Sequence, residues 1–148
     1  MENAMKYVVT SMISALVGSF SIASAAPVTL TIEEVEARGG TLLVGLQTED
    51  QFLKTAGIAG QLIPSPSSGT HTVSLDVPAG RYSVSVLHDV NDDQDMAVNA
   101  SGMPEEGWTM YNAEQLRGAP TFELVGFDVD ETGTDLTLHM IYPTADQN

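Results

Sequence analysis

Cysteine is absent, and only five of the 148 residues are Lys or Arg. The first absence excludes disulfide staples, thiolate metal sites and a lipidated cysteine behind any leader. The second leaves a formal charge of −15, since Asp and Glu number 20. With no basic patch to neutralise phosphates, nucleic acid is excluded as a partner. Adhesion to anionic lipid is disfavoured for the same reason. The charge instead favours solubility and draws cations. Aromatic residues make up 6%, with one Trp. The apolar or small run Tyr7–Phe20 has 14 residues, short of the roughly 20 needed to span a bilayer.

That run does fit an exported leader. Lys6 precedes it, and Ser21-Ile-Ala-Ser-Ala-Ala26 follows with Ala23 and Ala25 in an A-x-A arrangement. Residues 1–25 are expected to be a signal peptide cleaved after Ala25, and residues 26–148 to be one domain. Cleavage removes Glu2 and Lys6, so the mature charge stays at −15. The expected location is periplasmic or secreted.

The mature part reads as strands. Val28–Ile32 alternates branched and polar residues. Gly39-Gly40 is a turn signal, and Leu42–Leu46 completes an expected first hairpin. Gln47–Gly69 carries weaker signals: a helical turn around Phe52 and Leu53, then a Pro- and Ser-rich surface loop from Leu62 to Gly69. Thr70–Val77 alternates again. Pro78-Ala-Gly80 is a tight turn, and Arg81–His88 is the clearest strand, giving an expected second hairpin. Trp108–Asn112, Thr121–Val129 and Thr134–Tyr142 supply the remaining strands. About seven short strands with turn punctuation predict an all-β fold, a single antiparallel β-sandwich.

One stretch stands out. From Leu87 to Gly107 the chain places Asp89, Asn91, Asp93 and Asp95 at alternate positions, then Asn99, Gly102, Pro104 and Glu106. Calcium takes six to eight oxygen ligands, and Asp89, Asn91 and Asp93 match the first, third and fifth positions of an EF-hand-like loop. The sixth position is Gln94 rather than Gly, and the twelfth is Ala100 rather than a bidentate Glu. Glu105 or Glu106 replaces that closing ligand only if the Gly102-Met-Pro104 turn folds back. The expected metal set is Asp89, Asn91, Asp93, Asp95 and Glu106, with calcium as the ion. The competing reading is a metal-free Asx loop that caps its own backbone.

His88, Trp108 and Tyr111 are candidates for a ligand rim beside the loop. A structural role for His88, donating to a loop carbonyl or carboxylate, and a core role for Trp108 compete with that reading. His71, His88 and His139 lie on separate segments with no i,i+4 pair, which argues against zinc. No Gly-x-Ser-x-Gly elbow, P-loop or nucleotide fingerprint is present.

The hairpin Val77-Pro-Ala-Gly-Arg-Tyr82 resembles that of transthyretin-like and carboxypeptidase-regulatory-like β-sandwiches. The longer run Val86-Leu-His-Asp-Val-Asn91, with Met96, Asn99, Gly102, Pro104, Glu106-Gly107, Asn112, Gly118-Ala-Pro120 and Phe122, is similar to bacterial exported proteins of the domain of unknown function 2141 family. The resemblance covers roughly Val28 to Tyr142 and implies a secreted sandwich with no assigned chemistry. Within the loop, Asp93, Gln94, Met96 and Ala97 depart from the family's Asn, Gly, Leu and Asp.

The expected function is that of an exported, non-enzymatic β-domain with calcium in the Asp89–Asp95 loop. The alternative is a metal-free protein- or carbohydrate-interaction domain using the Trp108 rim. A hydrolase acting through Asp89, Glu106 and His88 is the third reading. The expected partner is an envelope protein or glycan, and the expected state a monomer.

Overall fold

The computed structural model describes residues 24–144. The expected leader lies outside them up to Ala23. The described chain is all-β, with two sheets. β1 (Ala25–Val35), β4 (Gly69–Pro78) and β8 (Thr134–His139) form one, in the order β4-β1-β8. β2 (Thr41–Gln47), β3 (Ala59–Pro64), β5 (Gly80–Asp89) and β6 (Gly107–Met110) form the other, in the order β3-β2-β5-β6. β7 (Gly126–Val129) pairs with the first half of β5.

Alternation decides which faces meet. Val28, Leu30 and Ile32 of β1 and Val73, Leu75 and Val77 of β4 are buried, as are Leu42, Val44 and Leu46 of β2 and Tyr82, Val84 and Val86 of β5. These rows share one core with Phe127, Val129 and Leu138, so the arrangement is sandwich-like. A period of two puts every second side chain inward, which is why β-branched residues recur at those positions. A smaller cluster of Met110, Ala113 and Val125, joined by Phe52, Trp108 and Leu116, forms a second apolar group.

Neither expected hairpin forms. β1 pairs with β4 and β8, while β2 pairs with β3 and β5. Gly39-Gly40, both with positive φ, therefore carries the chain between sheets. Pro78-Ala-Gly80 does the same between β4 and β5, and the Tyr82 hydroxyl pins that corner by donating to the Pro78 carbonyl at 2.7 Å. Sequence alternation reports which face is buried but not which strand is the neighbour. One pairing is parallel, β1 with β8, so the sheets are not purely antiparallel.

Two local expectations also give way. Ala59–Pro64 lies at a sheet edge as β3 rather than in a loop. Its Pro64 is tolerated because an edge strand has one side free of partners. Phe122–Val125 is a helical turn ahead of β7 instead of a strand, and Leu124 is exposed. Tertiary packing of Val125 into the smaller cluster outweighs the β-propensity of that segment. Among the described residues, no helix is long and apolar enough to cross a membrane.

Candidate metal centre

β5 delivers two neighbouring side chains to opposite faces. His88 continues the inward row of Tyr82, Val84 and Val86, while Asp89 lies on the face of Ser83, Ser85 and Leu87. The β5–β6 ladder runs from Ser85 with Met110 to His88 with Gly107. Just beyond its end, Asp89 and Glu106 bring carboxylate oxygens within 4.8 Å of each other. Both are buried, at 1% and 8% exposure.

The loop between them is organised by these carboxylates. Asp89 accepts the N–H of Asp93 on Oδ1 at 3.2 Å and that of Gln94 on Oδ2 at 2.7 Å. Glu106 Oε1 accepts the Val90 N–H at 3.0 Å. Glu106 Oε2 is buried and has no hydrogen-bond partner. Exposed Asp93 comes over the top, and one oxygen from each of Asp89, Asp93 and Glu106 lies within 4.8 Å of the others. Among the described residues, no Lys, Arg or His forms an ion pair with any of the three.

Two backbone features shape this concavity. Asp92 and Gln94 take left-handed φ values of 56° and 62°, so Gln94 adopts the turn for which a calcium loop normally uses Gly. Thr41 anchors the bend by donating from its hydroxyl to Asp92 Oδ1 at 2.7 Å. The chain then folds back through Gly102, whose φ is 77°. Asn99 N–H donates to Met103 O and Glu105 N–H to Ala97 O. This return brings Glu106, not Glu105, to the closing position; Glu105 is exposed.

Of the five expected ligands, Asp89, Asp93 and Glu106 converge. Asn91 sits at the margin, donating from Nδ2 to Asp93 Oδ2 at 2.8 Å. Asp95 turns away to accept the N–H of Met96. Its alternate position in sequence does not carry into space, because the left-handed Gln94 redirects the chain.

The expected rim of His88, Trp108 and Tyr111 is split. His88 is fully buried on the inner face. Its Nε2 contacts the Gly39 carbonyl at 2.8 Å, which can only accept, so Nε2 carries the hydrogen. Nδ1 then accepts from the Tyr142 hydroxyl at 2.8 Å, and the Tyr142 oxygen accepts the Glu36 N–H at 3.0 Å. Burial, opposed by that Glu36 N–H, pushes the Tyr142 phenol above its ordinary value. Tyr111 packs edge-on against Phe127 at 5.8 Å, on the core side. Trp108 is half-buried in the smaller cluster. Sequence reasoning missed Thr41 and Tyr142, which are distant from the loop along the chain; the Gly39-Gly40 pair was the one signal near Thr41.

Residues 30–137 match the model of a family described as uncharacterised protein conserved in bacteria, DUF2141. The chain belongs to the DUF2141 family. No curated protein and no solved structure matches it. In this DUF2141 domain the matched span runs from the middle of β1 to the middle of β8, and it includes every carboxylate of the site.

Proposed function

We propose that this DUF2141 protein is an exported, non-enzymatic β-domain in which Asp89, Asp93 and Glu106 hold a calcium ion. The observation that carries the reading is Glu106 Oε2, a buried carboxylate oxygen without a partner beside a second buried carboxylate, Asp89. Two buried like charges facing each other repel by roughly 1 to 4 kcal/mol, depending on the effective dielectric. A divalent cation converts that repulsion into attraction. The donors are all oxygen, the set a hard cation prefers, and the irregular loop suits the irregular coordination of calcium. The ion's role is structural: it ties the ends of β5 and β6 to the loop that joins them. Affinity in the range of extracellular modules, on the order of 10⁻⁴–10⁻³ M, is expected. The sheet-crossing corner at Val77–Tyr82 supports a transthyretin-like arrangement of the two sheets.

The test is thermal melting of the mature protein in EDTA and in calcium at about ten times the dissociation constant. Binding to the native state alone adds about 1.4 kcal/mol there, a rise of a few degrees for a domain of this size. An unchanged midpoint overturns the reading. It would favour the metal-free alternative, for which both Asp89 oxygens already accepting loop N–H groups is the supporting observation. That alternative leaves an interaction role for the Trp108 face. The hydrolytic reading gains no support, since both ring nitrogens of His88 are engaged on the opposite face from Asp89 and Glu106.

A further inference from the structure

Beyond β8, Ile141 and Tyr142 leave that strand's sheet and pack against the last ladder pairs before the carboxylates. Trp108 and Ile141 exchange two backbone hydrogen bonds, N–H to O at 2.9 Å and 2.8 Å. Tyr142 follows and touches both members of the His88–Gly107 pair. Its hydroxyl bonds His88 Nδ1. Its ring lies so close to Gly107 that an added Cβ would collide with Cε1. The Arg38 guanidinium covers the ring at 4.6 Å from its centroid. Tyr142 is thus wedged beside the two backbone positions that adjoin Asp89 and Glu106.

We propose that Tyr142 is a positioning residue for the cation site: docking of Met140–Tyr142 sets the spacing of Asp89 and Glu106, and cation binding in turn locks that segment down. This rests on the calcium reading above. The physical route is short. His88 fixes the end of β5 through its bonds to Gly39 and Tyr142, and the absence of a Gly107 side chain lets the Tyr142 ring fix the start of β6. Outer contacts of this kind tune metal affinity without touching the ion. Coupling between two binding events is reciprocal in free energy, so the effect must be visible from both ends.

The experiment compares wild type with Tyr142→Phe, which keeps the ring and removes the hydroxyl. Calcium binding is measured by isothermal titration at a temperature where both are folded by circular dichroism. Tyr82→Phe is the control, since it removes a comparable hydroxyl bond at the far end of β5. The expected result is a dissociation constant raised about three- to tenfold in Tyr142→Phe, below the effect typical of groups that contact a ligand directly, and unchanged in Tyr82→Phe. Hydrogen exchange supplies the converse: calcium slows the Trp108 and Ile141 amides of wild type more than its stability gain slows the core amides of β1. Equal affinities in wild type and Tyr142→Phe overturn the proposal while leaving the calcium reading intact. Equal loss in both Tyr variants also overturns it, as a general effect of destabilisation. If wild type binds no calcium, both readings fall. Should Tyr142→Phe fail to fold, the exchange measurement on wild type decides, and uniform slowing counts against the coupling.

Discussion

Asp89 and Glu106 adjoin the His88–Gly107 pair, both buried, with carboxylate oxygens within 4.8 Å of each other. Like charges held this close at the end of a strand pair are destabilising, and burial sharpens the cost. Glu106→Gln removes one charge and keeps an acceptor for the Val90 N–H. In EDTA the variant is expected to be more stable than wild type by about 0.5–1 kcal/mol. In calcium the order reverses, because wild type gains the ion and the variant does not. Urea midpoints measured in both conditions check this crossing. A variant less stable than wild type in EDTA would show that Glu106 serves as an ordinary structural acceptor.

Asp89 combines two tasks that Asp93 does not. It is buried and accepts two loop amides, whereas Asp93 is exposed. Asp89→Ala leaves both amides without their partner and is expected to cost about 2–4 kcal/mol even in EDTA, since charge-assisted bonds in buried sites are expensive to lose. Asp93→Ala is expected to cost under about 1 kcal/mol in EDTA. Both should abolish the calcium-dependent rise in melting temperature. Urea denaturation separates the structural contribution of Asp89 from the ligand contribution the two residues share.

Gln94 holds a left-handed backbone at φ 62° and spends its N–H on Asp89 Oδ2. Left-handed geometry costs a residue with a Cβ roughly 1 kcal/mol or more. Gly avoids that cost but loses more entropy on folding. Gln94→Gly is therefore expected to be neutral or stabilising by up to about 1 kcal/mol, against the usual sign for a substitution to Gly. It should tighten calcium binding by pre-organising the loop. A loss above about 1 kcal/mol would mean the side chain of Gln94 makes a contribution its backbone geometry does not explain.

The strands of this domain were legible because alternation is local: Tyr82, Val84 and Val86 announce a buried row in the sequence itself. Strand partners were not, because the Gly39-Gly40 and Pro78-Ala-Gly80 turns carry the same residues whether they close a hairpin or cross between sheets. The parallel β1–β8 pairing joins residues more than a hundred positions apart, such as Val28 with Thr134, and no turn signal encodes it. The acidic loop was visible from its composition. Which carboxylates converge depended on the left-handed turn at Gln94 and the fold-back at Gly102. The EF-hand spacing singled out Asp89 and Asp93, which do converge, and placed no Glu at its twelfth position, while Glu106 reaches the group from just before β6. The position of His88 was visible and its role was not, since its partners Gly39 and Tyr142 lie 49 and 54 residues away.

Tyr142 links this geometry to pH. Burial holds its phenol above the ordinary value of 10.0 in the folded chain. Below about pH 10 both folded and unfolded forms keep the proton, so this group adds no pH dependence there. Above that point the unfolded chain loses its proton first and binds fewer protons than the native state. Stability then falls as pH rises towards the folded value, the sign expected for a group whose pKa is raised by folding. Tyr142→Phe lacks this contribution. Urea midpoints of wild type and variant, compared at about pH 9 and about pH 11, should therefore converge as pH rises. Parallel slopes would show that Tyr142 ionises in the folded chain as readily as in the unfolded one, and that its hydroxyl is not held in the clasp with His88 and the Glu36 N–H.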